Sequence, residues 1–307
     1  MGCKPPNWPR NPYWLPPFAT RGVEGPVGIA DAYWESSINE WLEDHTAFLH
    51  AHHNAQGQPA DGSFHAIWNQ VRAVQDFYAR VPAGSHVANP PIADRARKAL
   101  RDVVLDTGHI ENAVCLGLGG INWRSKVDYK REWIQQCGMF LAICQLLEQK
   151  QGMQPGSLSK IFQDPLFKIE EQYILHTVGR QRIVEMPAAN DLMDQTTFVF
   201  APHLTGPAMF DTFLTPGREP GLLYTNTFHG TLGPLAFAIV KANLTEIILS
   251  GNPNANAAAD NLFRMAERFV NRHRGIAFHL DFTENPIVQR AFYASSFYIP
   301  KPELVVP

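Results

Sequence analysis

The chain has 307 residues, of which 45% are hydrophobic and 18% are charged, and its formal net charge is −3. This apolar content in a chain of this length can bury a large core, which excludes wholesale disorder. The 26 basic and 29 acidic side chains nearly balance, so we expect neither nucleic acid nor an anionic membrane as a partner. No apolar run approaches the roughly 20 residues that a membrane-spanning helix needs.

The N-terminal third divides into an arm and a helical extension. Residues 1–27 contain seven of the 24 prolines and several aromatic side chains, which predicts an extended arm that lies across the body of the chain or joins two chains in a homodimer. The arm has no apolar segment of the secretory type, so we expect a cytoplasmic protein. Residues 28–109 predict three amphipathic helices, near 37–54, 63–78 and 91–105.

Residues 110–307 alternate short apolar runs with longer helical patterns. Strands are predicted near 113–118, 160–163, 182–185, 196–201, 245–250 and 275–282. Helices are predicted near 128–150, 205–214, 230–242 and 256–273, with another that ends at Gly179 and a closing segment at 287–299. This alternation predicts an α/β fold, a Rossmann-like open, mostly parallel sheet flanked by helices.

The cysteines and histidines give no metal motif. The four cysteines contain no CxxC pair, and Cys137 and Cys144, seven residues apart, are typical of core positions on one helix face. Four histidines fall between residues 45 and 53 without a metal-ligand motif. We therefore predict no metal.

A glycine-rich turn follows the first predicted strand. Gly117, Gly119 and Gly120 stand where a phosphate-binding turn would stand, and with Asp164 they are the candidate cofactor-binding residues. The third glycine of the dinucleotide fingerprint is replaced by Asn122, and Asp164 lies 44 residues after Gly120 rather than about 20. A tight strand-to-helix turn is the simpler interpretation. No cofactor is predicted, with a nucleotide or S-adenosylmethionine as the less favoured alternative.

A histidine follows the predicted strand at 196–201. His203 would sit just beyond a buried strand, where an unpartnered imidazole costs about 1–3 kcal/mol and so needs a hydrogen-bond partner or a ligand. Asp211 and His229 are candidate partners in a catalytic acid–base group. The alternative is a structural histidine that caps the helix near 205–214.

Further polar and aromatic residues complete the candidate site. Asp164 precedes a helix whose first turn contains Glu170 and Glu171, where the helix dipole alone can account for the carboxylates. Glu171, Asn226 and Trp123 are candidate substrate-binding residues.

Taken together, the strand-end segments resemble the sensitivity-to-red-light-reduced (SRR-like) domain family of plants, animals and fungi. That family's pattern has a Gly-Leu-Gly-Ser turn, an Asp-Pro pair, a Glu in the next helix, a Met-Pro-His-Cys strand end, an Asn-Trp pair, a Gly-Asn strand end and a closing Ala-Phe-Asn-Asp-Thr-Ser segment. The counterparts over residues 112–300 are 117–120, Asp164-Pro165, Glu171, 201–204, Asn226-Thr227, Gly251-Asn252 and 291–296.

The chain departs from this pattern at several polar positions. Gly120 replaces the serine, Leu204 the cysteine, Thr227 the tryptophan, and Tyr293-Ala294 the Asn-Asp pair. The resemblance, which is to a divergent fungal member, implies a Rossmann-like scaffold with a drier pocket. It brings no reaction, because the family is linked to circadian, haem-related and cytoskeletal regulation without a settled activity.

The leading hypothesis is an enzyme of specialised metabolism that acts on a small, fairly apolar molecule. It would use metal-free acid–base or shape-driven chemistry such as cyclisation or isomerisation, with His203 as general acid or base. One alternative is a regulatory ligand-binding or interaction module for haem or a nucleotide. Another is a tRNA-using enzyme similar to a cyclodipeptide synthase, suggested by a basic helix face formed by Arg95, Arg97, Lys98 and Arg101.

Overall fold

The computed structural model describes residues 62–80, 92–121, 127–164, 167–185, 188–202, 218–226, 264, 268–278 and 295–301. The helices in these segments are α1 Gly62–Ala79, α2 Ile92–Asp106, α3 Val127–Gln151 and α4 Ile169–Gln172, which continues as a π-helix over Tyr173–Val178. A 3₁₀ turn spans Ala188–Leu192, and residues 268–272 are helical. The strands are β1 Asn112–Leu116, β2 Ser159–Gln163, β3 Arg182–Ile183, β4 Thr197–Ala201, β5 Leu222–Asn226, β6 His273–Ala277 and β7 Ser295–Pro300.

The seven described strands form one sheet in the order β3-β2-β1-β4-β5-β7-β6. The first five strands of the chain pair in parallel, whereas β7 runs antiparallel to both β5 and β6. The prediction of an open, mostly parallel α/β sheet is therefore confirmed.

The central strands are apolar because both faces of the sheet are covered. All five residues of β4 are buried, which is typical of a parallel strand with helices on either side. On one face, Phe140 of α3 lies with its ring centroid 5.1 Å from that of Phe162 and 5.8 Å from that of Phe198. On the other face, Phe269 packs against Tyr298 of β7 at 5.7 Å. The sheet is thus the middle layer of a three-layer domain.

Helix α1 packs directly on α3. A Cβ atom on Gly138 would lie 2.5 Å from Cγ1 of Val74, so only glycine allows this close approach. Beside it, Gln75 Nε2 donates to Gln145 Oε1 at 2.8 Å. The described part of the predicted helical extension therefore shares the core of the sheet domain. The division of the chain into segments 1–27, 28–109 and 110–307 stays a prediction.

The three described cysteines lie in this core. Cys115, Cys137 and Cys144 are buried and form no disulfide, which confirms Cys137 and Cys144 as core residues. Burial raises the pKa of all three thiols, so they are poor nucleophiles. Among the helices that the structure describes, none is both long enough and apolar enough to cross a membrane.

The sheet differs from the prediction in its second half. No strand was predicted at β5, which is short and follows Pro220 and Gly221, and these turn-forming residues outweigh its apolar run. β6 overlaps the strand predicted near 275–282 but begins two residues earlier, at His273, where the pattern predicted the end of a helix. β7 lies in the closing segment. The predicted elements near 37–54, 205–214, 230–242 and 245–250 fall outside the described residues.

Candidate functional site

The candidate site lies beyond the carboxyl ends of β1 and β4. β1 pairs with β2 on one side and β4 on the other. The connection after β1 therefore runs to one side of the sheet, and the connection into β4 runs to the other side. Open α/β sheets bind ligands at the point between two strands where the connections reverse in this way. The register aligns Cys115 with Phe200, so the chain leaves the sheet side by side at residues 117 and 202. We call residues 117–121, 164 and 202 the carboxyl edge.

The turn after β1 needs glycine and is held by an acid. Gly117 has a φ of 66° and Gly119 a φ of 74°, in the left-handed region that other residues enter only at a cost. The backbone N–H of Gly119 donates to Oδ2 of Asp164 at 2.6 Å. Because Asp164 directly follows β2, this bond ties together the ends of two neighbouring strands.

Glu171 holds the same turn from the side of α4. Its side chain is fully buried, its Oε1 accepts the N–H of Ile121, and its Oε2 accepts the N–H of Lys168 at 2.7 Å. The carboxyl group therefore bridges the glycine turn and the start of α4. We call Asp164 and Glu171, with these bonds, the acid clamp.

The environment of Glu171 changes its acidity. Burial raises its pKa from 4.5 to about 8, and the nearby negative charge of Glu170 adds to this effect. The backbone N–H groups of Lys168, Glu171 and Ile121 favour the charged form but only partly offset burial. A carboxyl group with such a pKa exchanges its proton near neutral pH, a property that clusters at functional sites.

The helix that contains Glu171 is irregular. After Gln172 it continues as a π-helix that ends with the N–H of Gly179 bonded to the carbonyl of Ile174 at 2.8 Å. Such wide turns are rare and often occur near functional sites. Here the segment packs on α1, where the rings of Phe64 and Tyr173 are 5.2 Å apart.

The predicted site residues fall into three groups. The structure brings together five of them at the carboxyl edge and its clamp: Gly117, Gly119, Gly120, Asp164 and Glu171. Asn226 ends β5, where its backbone lies opposite Ser295 of β7. His203, Asp211, His229 and Trp123 lie outside the described residues, so their roles stay predictions.

One polar residue of this edge was missed by the sequence analysis. Gln163, the last residue of β2, is buried, and its Oε1 accepts the N–H of Ala189 at 2.9 Å. This bond attaches the 3₁₀ turn after β3 to the carboxyl edge. A polar residue that ends an otherwise apolar strand, immediately before Asp164, was the available signal.

Two of the four residues of the predicted basic face of α2 pair with acids of the same helix, and a third bonds to a backbone carbonyl. Arg97 donates to Asp94 at 2.6 Å, and Lys98 donates to Asp102 at 2.5 Å. Arg101 donates to the carbonyl of Ala79 at 2.7 Å. These contacts leave less free charge on this face for the phosphates of a tRNA.

Among the residues that the structure describes, no three His, Cys, Asp or Glu side chains lie close enough together to hold a metal ion. The predicted absence of a metal stays a prediction.

A family model described as the SRR1 domain matches residues 96–297, well over half of the 307 residues. The chain belongs to the SRR1 domain family. The match confirms the resemblance drawn from the strand-end motifs, and it includes both members of the acid clamp. The SRR1 domain begins within α2 and ends within β7. No curated protein matches the chain in a sequence search.

Proposed function

We propose that this SRR1 domain protein is an enzyme that acts on a small, fairly apolar metabolite at the carboxyl edge. One observation carries the proposal: the edge lies where the crossovers reverse between β1 and β4, and it holds a fully buried carboxyl group, Glu171, with a pKa of about 8. Position in the sheet and proton exchange near neutral pH together favour acid–base chemistry, such as a cyclisation or an isomerisation, that needs no metal.

In this proposal His203 is the general acid or base. It is the second residue after Ala201, the last residue of β4, and β4 ends beside the glycine turn. Asp211 or His229 orients its imidazole, and the acid clamp fixes the opposite wall. Trp123 and Asn226 contact the substrate, and the setting is specialised metabolism in the fungal cytoplasm.

The experiment begins with the ligand. Small molecules that co-purify with the full chain are identified by mass spectrometry, and the identified compound is then assayed for turnover. We expect His203→Ala to lower kcat by at least about 100-fold while the melting temperature stays nearly unchanged. His109→Ala, which removes an exposed histidine, is the matched control and should keep full turnover.

Two results would contradict the proposal. Full turnover by His203→Ala with a large loss of stability would make His203 a structural residue. A compound that binds the wild-type chain and is never converted would instead favour the regulatory ligand-binding module.

A further inference from the structure

The turn after β1 resembles a phosphate-binding turn in sequence, yet two of its amides, those of Gly119 and Ile121, already have acceptors. The N–H of Gly119 points to Asp164 at 2.6 Å, and the N–H of Ile121 points to Glu171. Asp164 is 4% exposed and Glu171 is 0% exposed, so water does not readily replace them as acceptors of these two N–H groups. Both acids therefore occupy the positions where phosphate oxygens would bind.

A phosphate at such a turn depends on these N–H groups. Glycine-rich turns hold phosphates through backbone amides that converge on the oxygens. To bind here, a phosphate would have to displace both acids. Each bond lost weakens binding by about tenfold when the displaced acceptor is neutral and up to about 100-fold when it is charged.

Electrostatics act in the same direction. A phosphate on the turn would lie beside the carboxylate of Asp164, with Glu170 next to Glu171 on α4, and like charges at short range repel. Among the described residues at the carboxyl ends of the strands, the cation closest in sequence to Glu171 is Lys168. Its side chain is exposed, and its backbone N–H donates to Glu171.

We infer that Asp164 and Glu171 are specificity-determining residues, which close the turn after β1 to phosphate. The ligand of the carboxyl edge is recognised there without a phosphate group, which excludes nucleoside diphosphates and dinucleotides as its occupants. The inference rests on the proposed function for the position of the ligand and adds the class of molecule that the site accepts.

The first test uses amide NMR spectra of the isotope-labelled full chain, titrated with ADP and with inorganic pyrophosphate. We expect the resonances of Gly119 and Ile121 to show no saturable shift, which corresponds to a Kd weaker than about 1 mM. Saturable shifts of either resonance at a lower Kd would show that the turn accepts phosphate and would overturn the inference.

The second test measures hydrogen exchange of the Ile121 amide in two matched variants. Glu171→Gln offers one acceptor oxygen to two N–H groups, so we expect exchange at least about tenfold faster than in the wild type. Glu170→Gln removes a neighbouring charge without touching the turn and should exchange at the wild-type rate. Equal rates in both variants would show that Glu171 does not hold the turn, against the inference.

A third variant, Asp164→Asn, tests the inference if Glu171→Gln does not fold. In Asp164→Asn the acceptor of the Gly119 N–H becomes neutral, and we expect its amide to exchange several-fold faster. Exchange at the wild-type rate would contradict the role of Asp164.

The two proposals fail in different experiments. A bound compound that is never converted removes the proposed enzyme, and full turnover by His203→Ala removes the role of His203; both leave the amide measurements intact. Phosphate-dependent shifts at Gly119 and Ile121 overturn the closed turn and leave the role of His203 standing.

Discussion

Two buried glutamates, one at each edge of the sheet, are held in different ways. Glu148 near the end of α3 lies at the amino edge, where the chain enters β2, and is 3% exposed. It accepts the N–H groups of Gly156 at 2.9 Å and Leu158 at 3.0 Å. It also accepts a hydrogen bond from Nζ of Lys160 at 2.6 Å. A cation that is 12% exposed, Lys160, therefore compensates its charge.

Glu171 at the carboxyl edge has backbone donors, and among the residues that the structure describes no cation pairs with it. Its oxygens accept the N–H groups of Ile121 and Lys168, while the charge that acts on it is that of Glu170, of the same sign. Burial and this neighbour raise its pKa to about 8.

The comparison separates a structural acid from one suited to chemistry. Where a cation is buried with the carboxylate, the pair fixes the fold and breaking it is costly. Where the cation is missing, the carboxyl group takes up a proton near neutral pH, which is the state that acid–base catalysis uses. The position of Glu171 beside the proposed site agrees with this distinction.

The largest expected effect comes from breaking the compensated pair. Lys160→Met leaves the carboxylate of Glu148 buried beside a methionine, and we expect a loss of about 3–5 kcal/mol in the free energy of unfolding. Urea denaturation measures it. Lys98→Met is the control, because the Lys98–Asp102 pair is exposed and should contribute less than about 1 kcal/mol. Equal losses in the two variants would remove the contrast between a buried and an exposed pair.

The second prediction is that the stability of the folded chain depends on pH through Glu171. Because the pKa of Glu171 is raised from 4.5 to about 8, the folded chain keeps a proton between these values that the unfolded chain has released. Stability should therefore fall as the pH rises through this range, by up to about 1.4 kcal/mol per pH unit, and level off above it.

Glu171→Gln tests this expectation. It should flatten the slope of stability against pH between 4.5 and 8, whatever its effect on absolute stability. Urea denaturation at several pH values gives the slope, and an unchanged slope in the variant would assign the titration to another group.

The sheet could be predicted where the chain gives strong local patterns. β1 and β4 are continuous apolar runs because both of their faces are covered, and α3 is long and free of proline. β7 was missed because it pairs antiparallel with β5, a segment about 70 residues away, whereas β5 was missed because turn-forming residues precede its short apolar run. Local sequence contains little information about such contacts.

The candidate site was predictable to a similar degree. The rule that ligand-binding loops follow parallel strands placed Gly119 and Asp164 at one edge, and the structure joins them by a hydrogen bond. The bond from Ile121 to Glu171 was not predicted, because the helix dipole gave a sufficient local reason for an acid at the start of α4. The raised pKa depends on burial, which the sequence pattern does not supply.

A smaller effect is expected from the conformation of the turn. In Gly119→Ala the added Cβ meets nothing within 4 Å, but the residue must keep a φ of 74°. We therefore expect a loss of about 1–2 kcal/mol. Gly108→Ala also meets nothing within 4 Å, at a residue without positive φ, and should change stability by less than about 0.5 kcal/mol. If the two variants lose equal stability in urea denaturation, the positive φ of Gly119 is not required for its hydrogen bond to Asp164.

The smallest effect separates the two causes of the raised pKa of Glu171. Burial is the larger cause and the charge of Glu170 the second, so Glu170→Gln should lower the pKa of Glu171 only in part. The pH at which the loss of stability levels off then moves down from about 8, while the slope below it persists. A slope that disappears would mean that Glu170, rather than burial, keeps Glu171 protonated. The second acid, rather than desolvation, would then be the main cause of the raised pKa.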